Sequence, residues 1–259
     1  MVLPLLRRMT HLEKLTLYLR TWEKSFVDYT HLHNDILVYM LQLHTFIFYI
    51  STEAFIDDSV YHRSNDDIEN KFINIKYGQM TCIIDHFKKF EGICHVYSIP
   101  YTFTRLIKIS NHFPNIVFNT VTHLLLFGIA PMKHDFFMRI SQNFPILKCL
   151  VIQNEMVQSW NRDELKSDKN PFDSIMEYFH LISLDLLSAN TDYVVQFLLE
   201  TRAYLPRLTE LKVHYRDLAL VTKNFTRDAT RRNCSKVKQL FFEQKIYCSN
   251  DLYEYFPSL

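Results

Sequence analysis

The sequence predicts an α/β fold of one class: a right-handed solenoid with short parallel strands on its concave side and helices on its convex side. Three observations lead there. An apolar–x–x–apolar–x–apolar pattern returns seven times, its copies are nearly evenly spaced, and proline-marked turns preceded by segments of helical period lead into several of them. The copies are Leu12-Leu15-Leu17, Leu43-Phe46-Phe48, Val121-Leu124-Leu126, Leu147-Leu150-Ile152, Leu181-Leu184-Leu186, Leu208-Leu211-Val213 and Val237-Leu240-Phe242. Their first anchors are 31, 78, 26, 34, 27 and 29 residues apart. The long gap has room for a degenerate copy, expected around Ile93 to Ile99, plus an insertion.

Each triplet reads as a short strand whose middle anchor (Leu15, Phe46, Leu124, Leu150, Leu184, Leu211 or Leu240) is buried, all seven lying side by side in one curved sheet. Phe144-Pro145-Ile146-Leu147 and Leu205-Pro206-Arg207-Leu208 put proline two residues before the first anchor. Phe113-Pro114-Asn115-Ile116 and Phe256-Pro257-Ser258-Leu259 have the same form. Proline cannot continue a helix and fixes an extended approach to the strand. Upstream, Phe136, Phe137, Ile140 and Phe144 form one helical face, and Val194, Phe197, Leu198 and Leu205 another. Phe172, Ile175, Met176 and Phe179 follow helical spacing, with Asn170 as N-cap and Pro171 at the first helical position. Strands joined through helices run parallel with right-handed crossovers, and stacked copies share a core that one copy cannot bury alone. A doubly wound sheet has the same element order, but even spacing and the lack of a glycine-rich loop argue against it.

One array is expected over residues 1–259, interrupted at about 51–92 and 154–170. Ser51 to Asn70 is polar and acidic, with Ser64 capping a short helix through Phe72. Gln79 to Asp85 and Gly92 to Tyr101 then read as an inserted hairpin.

Composition removes several functions. Glycine occurs three times in 259 residues, as Gly78, Gly92 and Gly128. A phosphate-binding P-loop, a dinucleotide fingerprint or a nucleophile elbow needs clustered glycines where backbone approaches a ligand or turns sharply. The net charge of +1 gives no overall pull toward nucleic acid or membrane. Five irregularly spaced cysteines suit reduced thiols, and the short apolar run before Arg7 and Arg8 reverses the order of a signal peptide. Asn224-Phe225-Thr226 and Asn233-Cys234-Ser235 then read as chance glycosylation sequons. The expected location is cytoplasmic or nuclear, with no membrane association.

The pattern resembles the leucine-rich repeat, L-x-x-L-x-L-x-x-N. Its asparagine position falls on Arg20, Ser51, Ile129, Glu155, Ala189, Arg216 and Lys245, so the asparagine ladder is missing. More closely, the chain resembles the repeat region of F-box domain-containing proteins with degenerate leucine-rich repeats. The resemblance rests on residues 12–17 (LEKLTL), 180–185 (HLISLD), 205–213 (LPRLTELKV) and 255–259 (YFPSL). It implies a substrate-holding array and, where an F-box is joined to it, docking to a ubiquitin-ligase adaptor. With its first anchor at Leu12, this chain leaves no room for an F-box before the array, so the adaptor enters only through an F-box upstream.

No metal, cofactor or catalytic site is expected. Cys82, His86, Cys94 and His95 lack paired short spacings, and neighbours on a strand point to opposite faces. His31 and His33 share a face of an extended segment without a third ligand. Asp57-Asp58 and Asp66-Asp67 read as solvated acids. The expected function is non-enzymatic binding of a protein partner of unknown identity on the concave face. Alternation puts Thr16, Ile47, Leu125, Val151, Asp185, Lys212 and Phe241 there in one row. Tyr18, Tyr49, Phe127, Gln153, Leu187, His214 and Glu243 form the next. The protein-binding candidates are Tyr18, Tyr49, Leu125, Phe127, Val151, Asp185, Leu187, Lys212, His214 and Phe241. Insertions folded over this surface would instead make it core.

An alternative lies in residues 200–245, where 11 Lys or Arg face 5 acids, densest at Arg227, Arg231, Arg232, Lys236 and Lys238. Such a lobe could meet nucleic acid or an acidic partner, although no aromatic-interleaved motif accompanies it.

Overall fold

The computed structural model describes residues 3–23, 26–27, 29–55, 78–88, 91–158, 174–244 and 250–259. The fold is mixed α/β with parallel sheets and helices, as expected at that level. The chain divides into two compact units where one array was expected: an N-terminal unit of Met1–Phe103 with His112–Pro114, and a C-terminal unit of Thr104–Asn111 with Asn115–Leu259. The seven anchors therefore do not share one sheet.

In the N-terminal unit, β1 (Lys14–Glu23) and β2 (Thr45–Phe55) run parallel with Leu15 opposite Phe46 and Leu17 opposite Phe48. The inserted hairpin forms as β3 (Met80–Lys88) and β4 (Glu91–Ser98). β4 pairs antiparallel with the free edge of β2, giving the order β1-β2-β4-β3. That edge is where a third parallel strand would have docked, so the hairpin ends the parallel ladder here. One sheet face, with Leu17, Phe46, Phe48, Ile50, Cys82, Ile84, Cys94 and Val96, is buried with Leu32, Ile36, Leu37, Met40 and Leu43. Those five come from α2 (Tyr29–Asp35), which follows the one-turn α1 (Leu3–Leu6), from a 3-10 turn (Leu37–Tyr39) and from their flanks.

In the C-terminal unit, five triplets form adjacent parallel strands: β6 (His123–Phe127), β7 (Cys149–Asn154), β9 (Ser183–Ala189), β11 (Glu210–Lys212) and β12 (Gln239–Phe241). Leu124, Leu150, Leu184, Leu211 and Leu240 stand opposite one another in one row. Beyond β6 lies a sixth strand, β5 (Arg105–Ile109), with Leu106 opposite Leu124. This is the degenerate copy; Ile93–Ser98, where it was expected, belongs to the hairpin. The middle anchors are buried except Leu15 and Leu240, which are half-buried on the terminal strands β1 and β12, where a neighbour is missing on one side.

Two backbone features recur along the copies. The N–H of each first anchor donates to the carbonyl three residues earlier: Leu12 to Met9, Leu43 to Met40, Val121 to Phe118, Leu147 to Phe144, Leu181 to Tyr178, Leu208 to Leu205 and Val237 to Cys234. Pro145 and Pro206 thus sit at the second position of hydrogen-bonded β-turns, where a fixed φ is an advantage, and not on an extended approach. Where another copy follows in the same sheet, the carbonyl just after the first anchor takes two of its N–H groups, as Thr122 O does from Lys148 and Cys149 and Ile182 O from Thr209 and Glu210, at 2.9 Å in all four bonds.

α3 (His134–Asn143) carries Phe136, Phe137 and Ile140 of one expected face and α4 (Thr191–Leu198) carries Val194, Phe197 and Leu198 of the other, while Phe144 is the C-cap of α3 and Leu205 lies outside α4. Asn190 caps α4 by accepting from the Asp192 N–H at 3.1 Å. α3 packs on β8 (Met176–Glu177), and α4 packs on β9, β10 (Ala203–Tyr204) and α5 (Tyr215–Val221). The helix expected around Ile175, Met176 and Phe179 is absent there. Met176 and Tyr178 are buried between exposed Ile175, Glu177 and Phe179, a period of two, because this segment pairs with β10. Asn170, Pro171 and Phe172 lie outside the described residues, as do the acidic stretch through Asp57, Asp58, Asp66 and Asp67 and the Ser64 cap.

Asparagines bridge successive turns, but not at the expected offset. The amide of Asn154 donates to Ala130 O at 2.8 Å, that of Asn111 to Pro131 O at 3.2 Å and that of Asn190 to Glu155 O at 3.2 Å. Asn233 serves the opposite end, donating to the carbonyls of Phe197, Leu198 and Ala203 and accepting from the Leu205 N–H. Gly128 leaves room for Asn154, since a Cβ there would lie 2.8 Å from Met132 Cε and 3.0 Å from Asn154 Nδ2.

Candidate functional site: the open face of the C-terminal sheet

Strand alternation turns the leucine row inward and every second residue outward. Leu125, Val151, Asp185, Lys212 and Phe241 are consecutive register partners across β6, β7, β9, β11 and β12, so the first expected row exists in this unit. Leu125, Val151, Asp185 and Lys212 are half-buried and Phe241 is 44% exposed. Lys212 Nζ lies 3.9 Å from Asp185 and 3.4 Å from Glu210, and 5.6 Å from the centre of the Phe241 ring. An apolar surface with one internally paired cation results.

The second row is less regular. Phe127 faces Gln153, but Gln153 faces Ser188 and not Leu187. A register shift between Val151 and Gln153 displaces Leu187, whose N–H donates to Asp185 Oδ1 at 3.2 Å. His214 and Glu243 lie past their strands, 3.3 Å apart. Phe127, Leu187 and His214 are half-buried.

The same face carries residues outside the expected rows. Arg105, His123, Cys149, Ser183, Glu210 and Gln239 form a row one step nearer the strand starts. Extending the alternation back by two from Leu125 and Val151 would have found it. Burial, then Arg105 and Lys148, pushes the His123 pKa down, while burial and Glu210 push the Cys149 thiol up against Lys212, Arg105 and Lys148. A thiol held protonated makes Cys149 a weak nucleophile near neutral pH. Lys108 arrives through a bulge between Leu106 and Ile109, with φ +54°, and its ammonium lies 5.7 Å from the centre of the Phe127 ring.

The N-terminal unit treats its corresponding face differently. Tyr18 is opposite Tyr49, as expected, and 37% exposed, but Tyr49 is fully buried. Tyr49 stacks on Tyr18, meets Tyr101 and Phe103, and its hydroxyl is 2.8 Å from His95 Nδ1. Tyr49 is a core residue, which removes it from an accessible surface.

The remaining candidates separate as follows. Cys82 and Cys94 face the apolar core while His95 is on the opposite sheet face; the His86 side chain lies outside the described residues. Among the described residues, no three His, Cys, Asp or Glu side chains gather as metal ligands. His31 and His33 belong to α2, where residues two apart point in different directions, so the expected extended pair does not form. Arg227 is buried and donates to Val221 O at 3.1 Å; Arg231 pairs with Asp228, and Arg232 lies over the Tyr204 ring. Among the described residues, no helix is long and apolar enough to cross a membrane.

No protein-family model matches the chain, and no curated protein or solved structure gives a significant match.

Proposed function

We propose that the chain is a non-enzymatic protein-interaction module, built as a right-handed leucine-rich-repeat-like solenoid whose open strand face receives a protein partner. The recurring turn and the paired N–H bonds to one carbonyl support the repeat reading, since each copy presents the same backbone groups to the next. The function rests on one observation: Leu125, Phe127, Val151 and Phe241 leave apolar surface accessible on a sheet whose other face is already core. Arg105, Lys108 and the Asp185–Lys212 pair rim it with charge that can set the register of a partner. A protonated Cys149 thiol fits binding better than nucleophilic chemistry. Joined to an F-box, such a face would be the substrate-reading half of a ubiquitin-ligase receptor.

The test is site-directed photo-crosslinking in cells. A crosslinker at Val151 or Gln239 should capture one discrete partner, and Phe127→Asp with Leu125→Asp should abolish the capture while the protein stays folded. Capture unaffected by those substitutions, or no capture at either position, overturns the reading.

A further inference from the structure

The repeat that builds the sheet also builds a groove at the strand starts of its last copies, away from the anchor rows. Arg207, Lys236 and Ser258 are third residues of successive β-turns, closed by Leu208 N–H to Leu205 O, Val237 N–H to Cys234 O and Leu259 N–H to Phe256 O. Facing them, Ile182, Thr209 and Lys238 each stand immediately before strands β9, β11 and β12. These residues and Pro206 line a shallow groove of about 410 Å³. The two rows therefore converge because the turn and the strand start repeat together.

Its electrostatics are one-sided. Arg207, Lys236 and Lys238 all line it and all are exposed, and among the described residues no carboxylate lines it. Lys236 is steadied by donating to Pro206 O at 2.9 Å, which leaves two ammonium N–H groups uncommitted to that carbonyl. Among the described residues, Arg207 and Lys238 make no ion pair. The contrast with the rest of the unit is informative: Lys212 has Asp185 and Glu210, and Arg231 has Asp228. Three cations share this groove with no acid among them, an arrangement that favours an anion of more than one charge.

We propose that this groove binds a phosphomonoester dianion. Arg207 offers a planar fork for two of its oxygens, Lys236 and Lys238 supply point charges, and the Thr209 hydroxyl can donate a further bond. The exposed Ile182 side chain and Pro206 give an apolar wall for whatever carries the phosphate. A phosphodiester strand fits less well. Among the described residues no aromatic ring lines the groove to stack a base, and its cations number three where a strand-binding track needs a longer series. The inference goes beyond the open-face reading and does not depend on it.

Free phosphate and a phosphorylated side chain share this chemistry, and calorimetric titration separates them. The probes are inorganic phosphate, a phosphoserine peptide with a leucine next to the phosphoserine, the same peptide unphosphorylated, and a single-stranded oligonucleotide. Binding of the phosphopeptide at least about tenfold tighter than inorganic phosphate assigns the source to a polypeptide. Equal binding of both assigns it to free phosphate, and either result supports the site. Arg207→Gln with Lys238→Gln should weaken binding by about a hundredfold, while Lys223→Gln, which removes one charge from the same lobe outside the groove, should leave it unchanged. All three substituted positions, Arg207, Lys238 and the control Lys223, are exposed, so circular dichroism should show an unchanged fold. No binding of either phosphate probe, tighter binding of the oligonucleotide, equal binding of the unphosphorylated peptide, or insensitivity to the double substitution overturns the proposal.

Discussion

Tyr49 and Phe127 occupy the same place in the repeat, one residue after the last anchor of a strand, and have opposite fates. Tyr49 is sealed among Tyr18, Tyr101, Phe103 and His95, whereas Phe127 is half-buried beside Gln153 with Lys108 over its ring. The cause is the neighbour that each strand acquires. In the N-terminal unit the inserted hairpin adds β4 beside β2 and places His95 and Tyr97 across from Ser51 and Tyr49. In the C-terminal unit every neighbour is another copy of the repeat, so the face keeps the character of the repeat itself. An identical local pattern therefore yields core in one unit and surface in the other.

The largest expected effect tests that contrast directly. Tyr49→Ala should cost about 3–5 kcal/mol, as a buried aromatic truncation that also strips a hydrogen bond from His95. Phe127→Ala should cost about 1 kcal/mol or less. Hydrogen exchange resolved for each unit is the measurement; similar costs for the two would break the comparison.

A second test compares positions within one row. Leu184→Ala, flanked by β7 and β11, should cost about 2–5 kcal/mol. Leu240→Ala on the terminal β12, where the side chain is half-buried, should cost less than half as much. Chemical denaturation of the two variants decides it.

These rows also show where the sequence was readable. Five middle anchors from Leu124 to Leu240 lie in the register their spacing implied, because a period-two strand with one buried face tolerates no slip. Three features escaped. The residue three before the first anchor is buried at six copies, as Met40, Phe118, Phe144, Tyr178, Leu205 and Cys234, and exposed at the first, as Met9; its varied chemistry hides the recurrence. Asn111, Asn154 and Asn190 bridge turns from offsets that no fixed-position motif captures. The helix inferred around Met176 failed because its apolar residues fit both periods, and pairing with Ala203–Tyr204 chose the strand. On the candidate face, alternation located Leu125, Val151, Asp185, Lys212 and Phe241, while bulges at Lys108 and Leu187 depended on backbone geometry that alternation does not encode.

Acid titration should sharpen the picture of the C-terminal unit. His134 Nδ1 lies 2.7 Å from the Gln196 amide nitrogen, and its Nε2 lies 3.1 Å from Ser174 O. The amide donates to Nδ1 and Nε2–H donates to the carbonyl, an arrangement only the neutral ring can satisfy. Burial pushes the His134 pKa below 6.5, with Arg202 acting the same way and Ser174 O and Asp135 opposing. The unfolded chain therefore takes up a proton first as pH falls. Stability contributed by the neutral ring is complete above pH 6.5, declines as pH drops from there toward the folded pKa, and levels off below it. His123, also shifted down, adds a change of the same sign. His134→Gln should reduce the slope in this window; an unchanged slope would remove His134 as its source.

The smallest effect concerns the ion pair on the open face. Asp185 and Lys212 are 3.9 Å apart with side chains 23% and 34% exposed, and Lys212 is shared with Glu210 at 3.4 Å. A pair so placed gains little over its hydrated parts. A double-mutant cycle with Asp185→Asn and Lys212→Met should give a coupling of about 0.2–1 kcal/mol, shrinking as salt is raised. Asp185→Asn keeps an oxygen to accept the Leu187 N–H, so the bulge survives and the cycle reports charge alone. A coupling of several kcal/mol, insensitive to salt, would mean that the pair is desolvated. The C-terminal face would then be closed like its N-terminal counterpart, and the contrast between Tyr49 and Phe127 would be one of degree.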